Sequence, residues 1–369
     1  MARRGENIYK RKDGRWEGRC VVGKRDNGRY IYKYVYGDKY KVVKDLLVNI
    51  KAKAAKENYH VGVYTKQPFK VWALHWLMEL AKPTVKQSTF SNYYGHMKRH
   101  ILPRLGNRGL AELSSLEIQG FIADLSAAGL SSSTVHNVIR VLSACLKAAR
   151  RFKEIESNPC EDVIVPTISV AKVEVLNREE QKRLESISQE VGESTHTAIM
   201  LSLYTGLRIG EVCALKWDDI DFDKNLINVN HTIQRITTFE ITGSKTKVIV
   251  DKPKSTKSVR QVPMPEAISG LLKGMNRTNG YVLCENNNYL DNRTLQYRFK
   301  AALKLAEMRD INFHVLRHTF ATRCVECGVD VKILSEILGH ATVKLTLDRY
   351  VHPLMEQKQK AMRSLKQAQ

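Results

Sequence analysis

The chain has 369 residues, enough for two or three domains with full cores, and its 43% apolar content and mean hydropathy of −0.35 describe a soluble globular protein. Its 60 Lys and Arg outnumber 38 Asp and Glu, and the net charge of +22 makes nucleic acid the expected partner ahead of an anionic membrane or an acidic protein. No apolar run nears the ~20 residues of a membrane span, the N-terminus lacks a hydrophobic signal core, and seven scattered cysteines fit reduced thiols in a cytoplasm better than a disulfide framework.

The charge is concentrated early: residues 1–60 carry 17 Lys and Arg against 7 Asp and Glu. Three short strands are expected there, Asn7–Arg11, Arg15–Val22 and Arg29–Tyr36, joined by a Lys12-Asp13-Gly14 turn and an Asn27-Gly28 hairpin signal. Tyr30, Tyr32, Tyr34 and Tyr36 alternate with Ile31, Lys33 and Val35, which makes one face largely aromatic. From Lys39 to Glu57, Val42, Leu46, Ile50 and Ala54 recur every four residues and predict a helix that covers one face of the sheet. The other face would present basic and polar groups. Such a sheet can enter a major groove; a small accessory domain that binds protein is the alternative.

The next segment reads as entirely helical. Val71, Trp72, Leu74, Trp76, Leu77 and Leu80 share one helix stopped at Pro83, and Phe90, Tyr94 and Met97 share a second that ends near Pro103. A third spans Leu116–Leu125 before Gly129. A fourth, capped by Ser131 or Ser132, runs through Val135, Ile139, Val141, Leu142 and Leu146, with Asn158-Pro159 closing the segment. Val163–Val173, with Pro166, reads as a linker. Asn177 with Glu180 then starts a further helix as a capping box. The remainder is mostly helical, with short strands near Leu226–Val229, Val248–Val250 and Arg260–Pro263.

The chemistry is concentrated in this last segment. Thr205-Gly206-Leu207-Arg208-Ile209-Gly210-Glu211 sets an arginine between two glycines at a helix start. Then come His314-Val315-Leu316-Arg317-His318-Thr319, Leu338-Gly339-His340, and Tyr350 ten residues beyond that histidine. His314 and Arg317, three apart, share a helix face. Each piece is weak alone. The ordered set is specific.

With these motifs the whole chain resembles the tyrosine recombinase, or phage integrase, family. The resemblance implies an early arginine at Arg208, a hairpin lysine at Lys254, the His-x-x-Arg pair His314 and Arg317, the Leu-Gly-His histidine His340, and the nucleophile Tyr350. It implies a multidomain, mainly α protein. Its parts would be an N-terminal three-stranded sheet plus helix (1–62) like the arm-site domain of conjugative-transposon integrases, a helical core-binding domain (66–162), and a mixed α+β catalytic domain with a C-terminal tail (174–369). It implies site-specific cleavage and rejoining of double-stranded DNA at core and arm sites, integrating and excising a mobile element in a bacterial, nucleoid-associated setting. A homo-oligomer, a tetramer when two sites are paired, and an excision accessory protein are implied as partners.

The residue types fit that chemistry. Two guanidiniums can grip the non-bridging oxygens of a phosphodiester bidentately and stabilise a pentacoordinate transition state. A phenol, with a free pKa of about 10, should ionise more readily beside such cations and conserve the broken bond as an ester. The leaving 5′-oxygen needs a proton, a role the family gives to the hairpin lysine, with a pKa lowered by neighbouring arginines. Pro253-Lys254-Ser255-Thr256-Lys257-Ser258 offers two candidates. Lys254 is favoured over Lys257 because a strand residue has a fixed direction and a turn residue does not. His314 and His340 would move protons at Tyr350 or donate to phosphate. No cofactor or metal is expected, since neither a P-loop nor a two-metal carboxylate cluster stands in the sequence.

Neighbouring residues are expected to be structural. His318 should point into the core, Trp217 is core-like, and His352 is a surface or C-terminal packing residue rather than a catalyst. Glu211 either orients Arg208 or is a solvated helix-start acid. Cys324 and Cys327 share a helix face as structural thiols rather than zinc ligands. The charged tail from Pro353 to Gln369 would pack on a neighbouring subunit. A topoisomerase with the same nucleophile and a DNA-binding regulator without catalysis are the competing functions.

Overall fold

Three antiparallel strands, Ile8–Lys10, Trp16–Lys24 and Tyr30–Gly37, form a sheet in sequence order, and helix Tyr40–Glu57 lies on one face. This computed structural model describes residues 7–24, 30–57, 64–65, 67–168, 173–238, 246–251, 258–277, 280–285 and 288–350, and the chain divides into two units, Met1–Ser169 and Val170–Gln369.

The helix keeps its expected period, but its buried stripe is shifted by one residue at Val43 and Leu47. Val43 and Leu47 are fully buried against Trp16 and Cys20, whereas Val42 and Leu46, expected inside, are 47% and 40% exposed. The reason lies in the sheet: a Cβ on Gly18 would stand 2.7 Å from Val43 and 2.6 Å from Leu47, so these two side chains occupy the notch the glycine leaves. Ile50 packs at the edge of the same cluster, as expected; the side chain of Ala54 lies outside the described residues. Because the pleat alternates, Tyr32, Tyr34 and Tyr36 fall on the opposite, open face with Arg19. That face is therefore aromatic as well as basic, with Arg11 over Tyr36 and Arg19 over Tyr32, each 5.4 Å from the ring centroid.

The helical segment comprises Phe69–His75, Gln87–His96, Leu102–Leu105, Ser115–Ala127 and Ser132–Arg151, with π-helical turns at Trp76–Ala81 and Met97–Ile101. Phe69, Trp72, Trp76 and Leu77 are buried, but Leu74 faces solvent. The indole of Trp72 donates to Cys145 O at 3.1 Å and ties the first helix to the last. Pro103 does not end its helix. The helical run continues from Gln87 through the π-turn to Leu105, two residues beyond the proline. Ser131 is the cap of the long last helix, accepting from Thr134 N.

In the second unit Asn177 and Glu180 form the expected capping box, each backbone N–H donating 2.8 Å to the other's side chain. Helix Glu193–Thr205 runs through the core, flanked by Arg178–Ser188, Asn292–Leu305 and His314–Glu326. Strand Leu226–Val229 pairs with Ile220–Asp221 and with Arg260–Pro263, and Thr232–Thr237 pairs with Thr246–Asp251. Thr232–Thr237 and the short pair Cys284–Glu285 with Asn288–Tyr289 were not legible as strands. Trp217 packs against the core with the Arg277 guanidinium 5.3 Å from its ring. All seven cysteines are free thiols; Cys327 is exposed rather than packed. Among the described residues no helix is long and apolar enough to cross a membrane. His352 and the tail lie outside the described residues.

Candidate active site

Helix His314–Glu326 is anchored by buried Val315 and Leu316, and this phase turns Arg317 inward until it is 1% exposed. Its Nη1 donates to Gly206 O at 2.7 Å and its Nη2 to Leu338 O at 2.6 Å. Burial and then the Arg208 charge push its pKa down to about 9, which leaves it cationic at neutral pH.

Helix Val331–Leu338 organises the arginines. Asp330 caps its N-terminus, and Gly339 closes its C-terminus in the left-handed conformation, φ 63°. The last carbonyls of a helix have no intrahelical partners and lie at the negative end of its dipole. Here three successive ones each receive a guanidinium: Ile337 O from Arg260 Nε, Leu338 O from Arg317, and Gly339 O from Arg208 Nη2 at 3.3 Å. A side chain at 339 would also meet Arg260, whose Cδ is 3.0 Å from the position of a Cβ. The glycine of Leu-Gly-His is thus required twice, by the backbone turn and by the arginine against it.

Glu211 does orient Arg208. Its Oε1 accepts from Arg208 Nη1 at 2.7 Å, its Oε2 accepts from Arg208 N at 2.9 Å, and Arg260 bonds both oxygens at 3.1 and 2.9 Å. At 4% exposure, burial pushes the carboxyl up, but Arg260 and then Arg208 override it and hold the pKa at about 2. Gly210 permits the close approach of helix Ile209–Ala214 to strand Thr232–Thr237, since a Cβ there would stand 2.6 Å from Thr232 Oγ1 and 2.7 Å from Ile233 O. Arg260 has no motif to announce it in the sequence. It became visible only through the partners the fold brings to it.

Tyr350 ends helix Val343–Tyr350, and its side chain is buried beside the arginines. Two expectations change here. Burial outweighs the Arg317, Arg349 and Arg208 charges, so the phenol's pKa is raised rather than lowered. And His318 does not turn away into the core: its Nδ1 lies 2.6 Å from Tyr350 Oη. The spacing held a signal for this, because His318 is one turn beyond His314 on the same face. The two rings meet edge-on with centroids 4.5 Å apart.

His340 lies nearly parallel to the Tyr350 ring, centroids 6.3 Å apart, and its Nδ1 pairs with Thr346 Oγ1 at 2.8 Å. Burial first, then Arg317 and Arg208, push its pKa down to about 3. His314 keeps much of its surface, yet surrounding protein and then His318, Arg317 and Arg208 hold it at about 4. Arg208, His314 and His340 line an open pocket of about 570 Å³ together with Thr232, Ser258 and Asn292. Arg317 and Tyr350 are not part of that lining. Lys254 and Lys257 lie outside the described residues. The strands on either side of them, Thr246–Asp251 and Arg260–Pro263, pair with different partners rather than with each other among the described residues.

Comparison with known proteins extends these observations. Residues 174–357 match the model of the Phage integrase family, and residues 69–126 match the Phage integrase, N-terminal SAM-like domain. A tyrosine recombinase XerC-like protein of Caldanaerobacter subterraneus subsp. tengcongensis is 30% identical, over 94% of this chain and 94% of its own. The transposase from transposon Tn916 of Enterococcus faecalis is 26% identical over 96% of each chain. Among solved structures, a Tn1549 transposon integrase in complex with a circular intermediate DNA shares the fold, with a TM-score of 0.68, 23% identity, and coverage of 81% of this chain and 99% of that one.

Proposed function

The chain belongs to the phage integrase family, and from that premise we propose that it is a site-specific tyrosine recombinase that integrates and excises a mobile element through a covalent bond between Tyr350 and DNA. One observation carries the assignment of residues: two motif arginines converge on one helix end beside the motif histidines and a buried phenol. In this reading Tyr350 Oη attacks the phosphorus and forms a 3′-phosphotyrosine, and the 5′-oxygen leaves. Arg208 and Arg317 neutralise the non-bridging oxygens, exchanging helix carbonyls for phosphate as DNA enters. His314 and His340, neutral at physiological pH, donate hydrogen bonds to phosphate from the pocket wall. Lys254, or Lys257 beside it, protonates the departing 5′-oxygen. The reverse sequence, with a partner strand's 5′-hydroxyl as nucleophile, rejoins the DNA. The steps require side chains alone.

Residues 66–162 and 174–369 are read as the parts that hold the core site, and 1–62 as the arm-site domain. The open face with Tyr32, Tyr34, Tyr36, Arg11 and Arg19 has the rings and charges to meet a groove and its phosphates. Exchange of both strands at two sites uses four nucleophiles, so a homotetramer is the working assembly, with the tail beyond Tyr350 as its link and an accessory protein biasing excision. A bacterial cytoplasm, at the nucleoid, is the corresponding location.

The decisive experiment is a suicide half-site whose cleaved 5′ fragment diffuses away. The wild-type protein should become attached to DNA, and Tyr350→Phe should bind the site without attachment. An adduct on Tyr350→Phe would overturn the assignment. Relaxation of supercoils without exchange between paired sites would favour the topoisomerase reading instead.

A further inference from the structure

The hydroxyl of Tyr350 is not held by either histidine of the family motifs. His340 Nδ1 is engaged by Thr346, and His314 lines the open pocket with its ring edge-on to His318. The histidine in hydrogen-bond contact with Oη is His318, through Nδ1 at 2.6 Å, and the Arg349 side chain also bonds the phenol. A phenol is the stronger donor and an imidazole nitrogen the stronger acceptor, so the arrangement is Oη–H donating to Nδ1, with the ring proton on Nε2.

We propose that His318 is a catalytic residue, the base that takes the proton of Tyr350 during DNA cleavage and returns it during rejoining. This rests on Tyr350 being the nucleophile. As the Oη–P bond forms, the Oη–H bond breaks and its proton moves to Nδ1 along a hydrogen bond that already exists. The P–O5′ bond breaks with its electron pair on O5′, which is protonated by the general acid. In rejoining, the conjugate base of that acid takes the proton of the 5′-hydroxyl as O5′–P forms, Oη–P breaks, and the imidazolium gives its proton back to Oη. The groups that face His318 suit a base at rest. Burial, then Arg349 from the nucleophile's helix and Arg317 from its own, hold its pKa down at about 4, so the ring is neutral and open to a proton at physiological pH. His314 also adjoins it, itself neutral there. A bound phosphodiester brings negative charge to the same arginines and strengthens the base as the reaction begins.

The test uses the full chain, the suicide half-site and single-turnover cleavage across a range of pH. His318→Asn is the informative variant, because its amide oxygen can accept the phenol's hydrogen bond but cannot take the proton; His318→Gln serves if that variant does not fold. The expected result is a fall in cleavage rate of about 10²-fold or more, with loss of the acid limb of the pH profile and DNA affinity unchanged. A second substrate with sulfur in place of the bridging 5′-oxygen leaves without a proton. The defect should persist with it, since the missing group is a base. Near-native cleavage with the acid limb intact would reduce His318 to a hydrogen-bond acceptor and overturn the proposal, and so would full rescue by the sulfur substrate. Both outcomes are distinct from failure of the nucleophile assignment, which would show as an adduct on Tyr350→Phe.

Discussion

Glu211→Gln removes one charge from the middle of the arginine cluster while keeping the shape of the side chain. Glu211 is buried between Arg208 and Arg260, and its pKa falls from 4.5 to about 2. At 1.36 kcal/mol per unit, the charged form contributes about 3 kcal/mol to folding. The sign follows from the direction of the shift. Below pH 4.5 the unfolded chain takes up this proton, but the folded chain resists until about pH 2, so the contribution is complete above 4.5 and disappears as pH falls through 2. By pH 3 roughly 2 of those ~3 kcal/mol are gone. Protonated Glu211 is nearly isosteric with glutamine, so wild type and variant should differ by about 3 kcal/mol at pH 7 and about 1 kcal/mol at pH 3. Urea unfolding at both pH values measures this, with hydrogen exchange at residues 206–217 reporting the unit that contains the pair. Carboxylates common to both proteins cancel in the difference. A gap that is the same at the two pH values, or absent at pH 7, would refute the claim that ionised Glu211 holds the two arginines.

Two further outcomes follow from the same geometry and charge. Gly210→Ala places a methyl 2.6 Å from Thr232 Oγ1 and 2.7 Å from Ile233 O, and the backbone of Thr232–Thr237 cannot yield as a side chain could. It should cost about 1–3 kcal/mol and slow cleavage by displacing Arg208; a melting temperature equal to wild type would show that the approach is looser than described. DNA affinity of the +22 chain should fall steeply with salt, by a slope of about 0.9 for every phosphate neutralised. A flat response in a filter-binding titration would exclude broad contact with the DNA backbone.

The candidate site residues are legible in the sequence because the proposed chemistry constrains their type and order. Arg208, His314, Arg317, His340 and Tyr350 could be named before any fold was known, and the capping box at Asn177 and the four-residue period of helix Tyr40–Glu57 were equally local. The phase of that helix was not, because period alone does not say which side is buried; the notch at Gly18 decided it. Nor did sequence reveal Arg260 as a partner of Glu211, since 49 residues separate them and only the pairing of Arg260–Pro263 with Leu226–Val229 sets the strand that carries it. The sequence places His318 in the core for a related reason: its true direction depends on where helix Val343–Tyr350 returns, 32 positions later. Tyr350 itself divides the two kinds of knowledge. Its identity as the candidate nucleophile came from spacing along the chain, whereas the raised pKa of its hydroxyl came from burial, a property of packed atoms in three dimensions that no one-dimensional pattern carries.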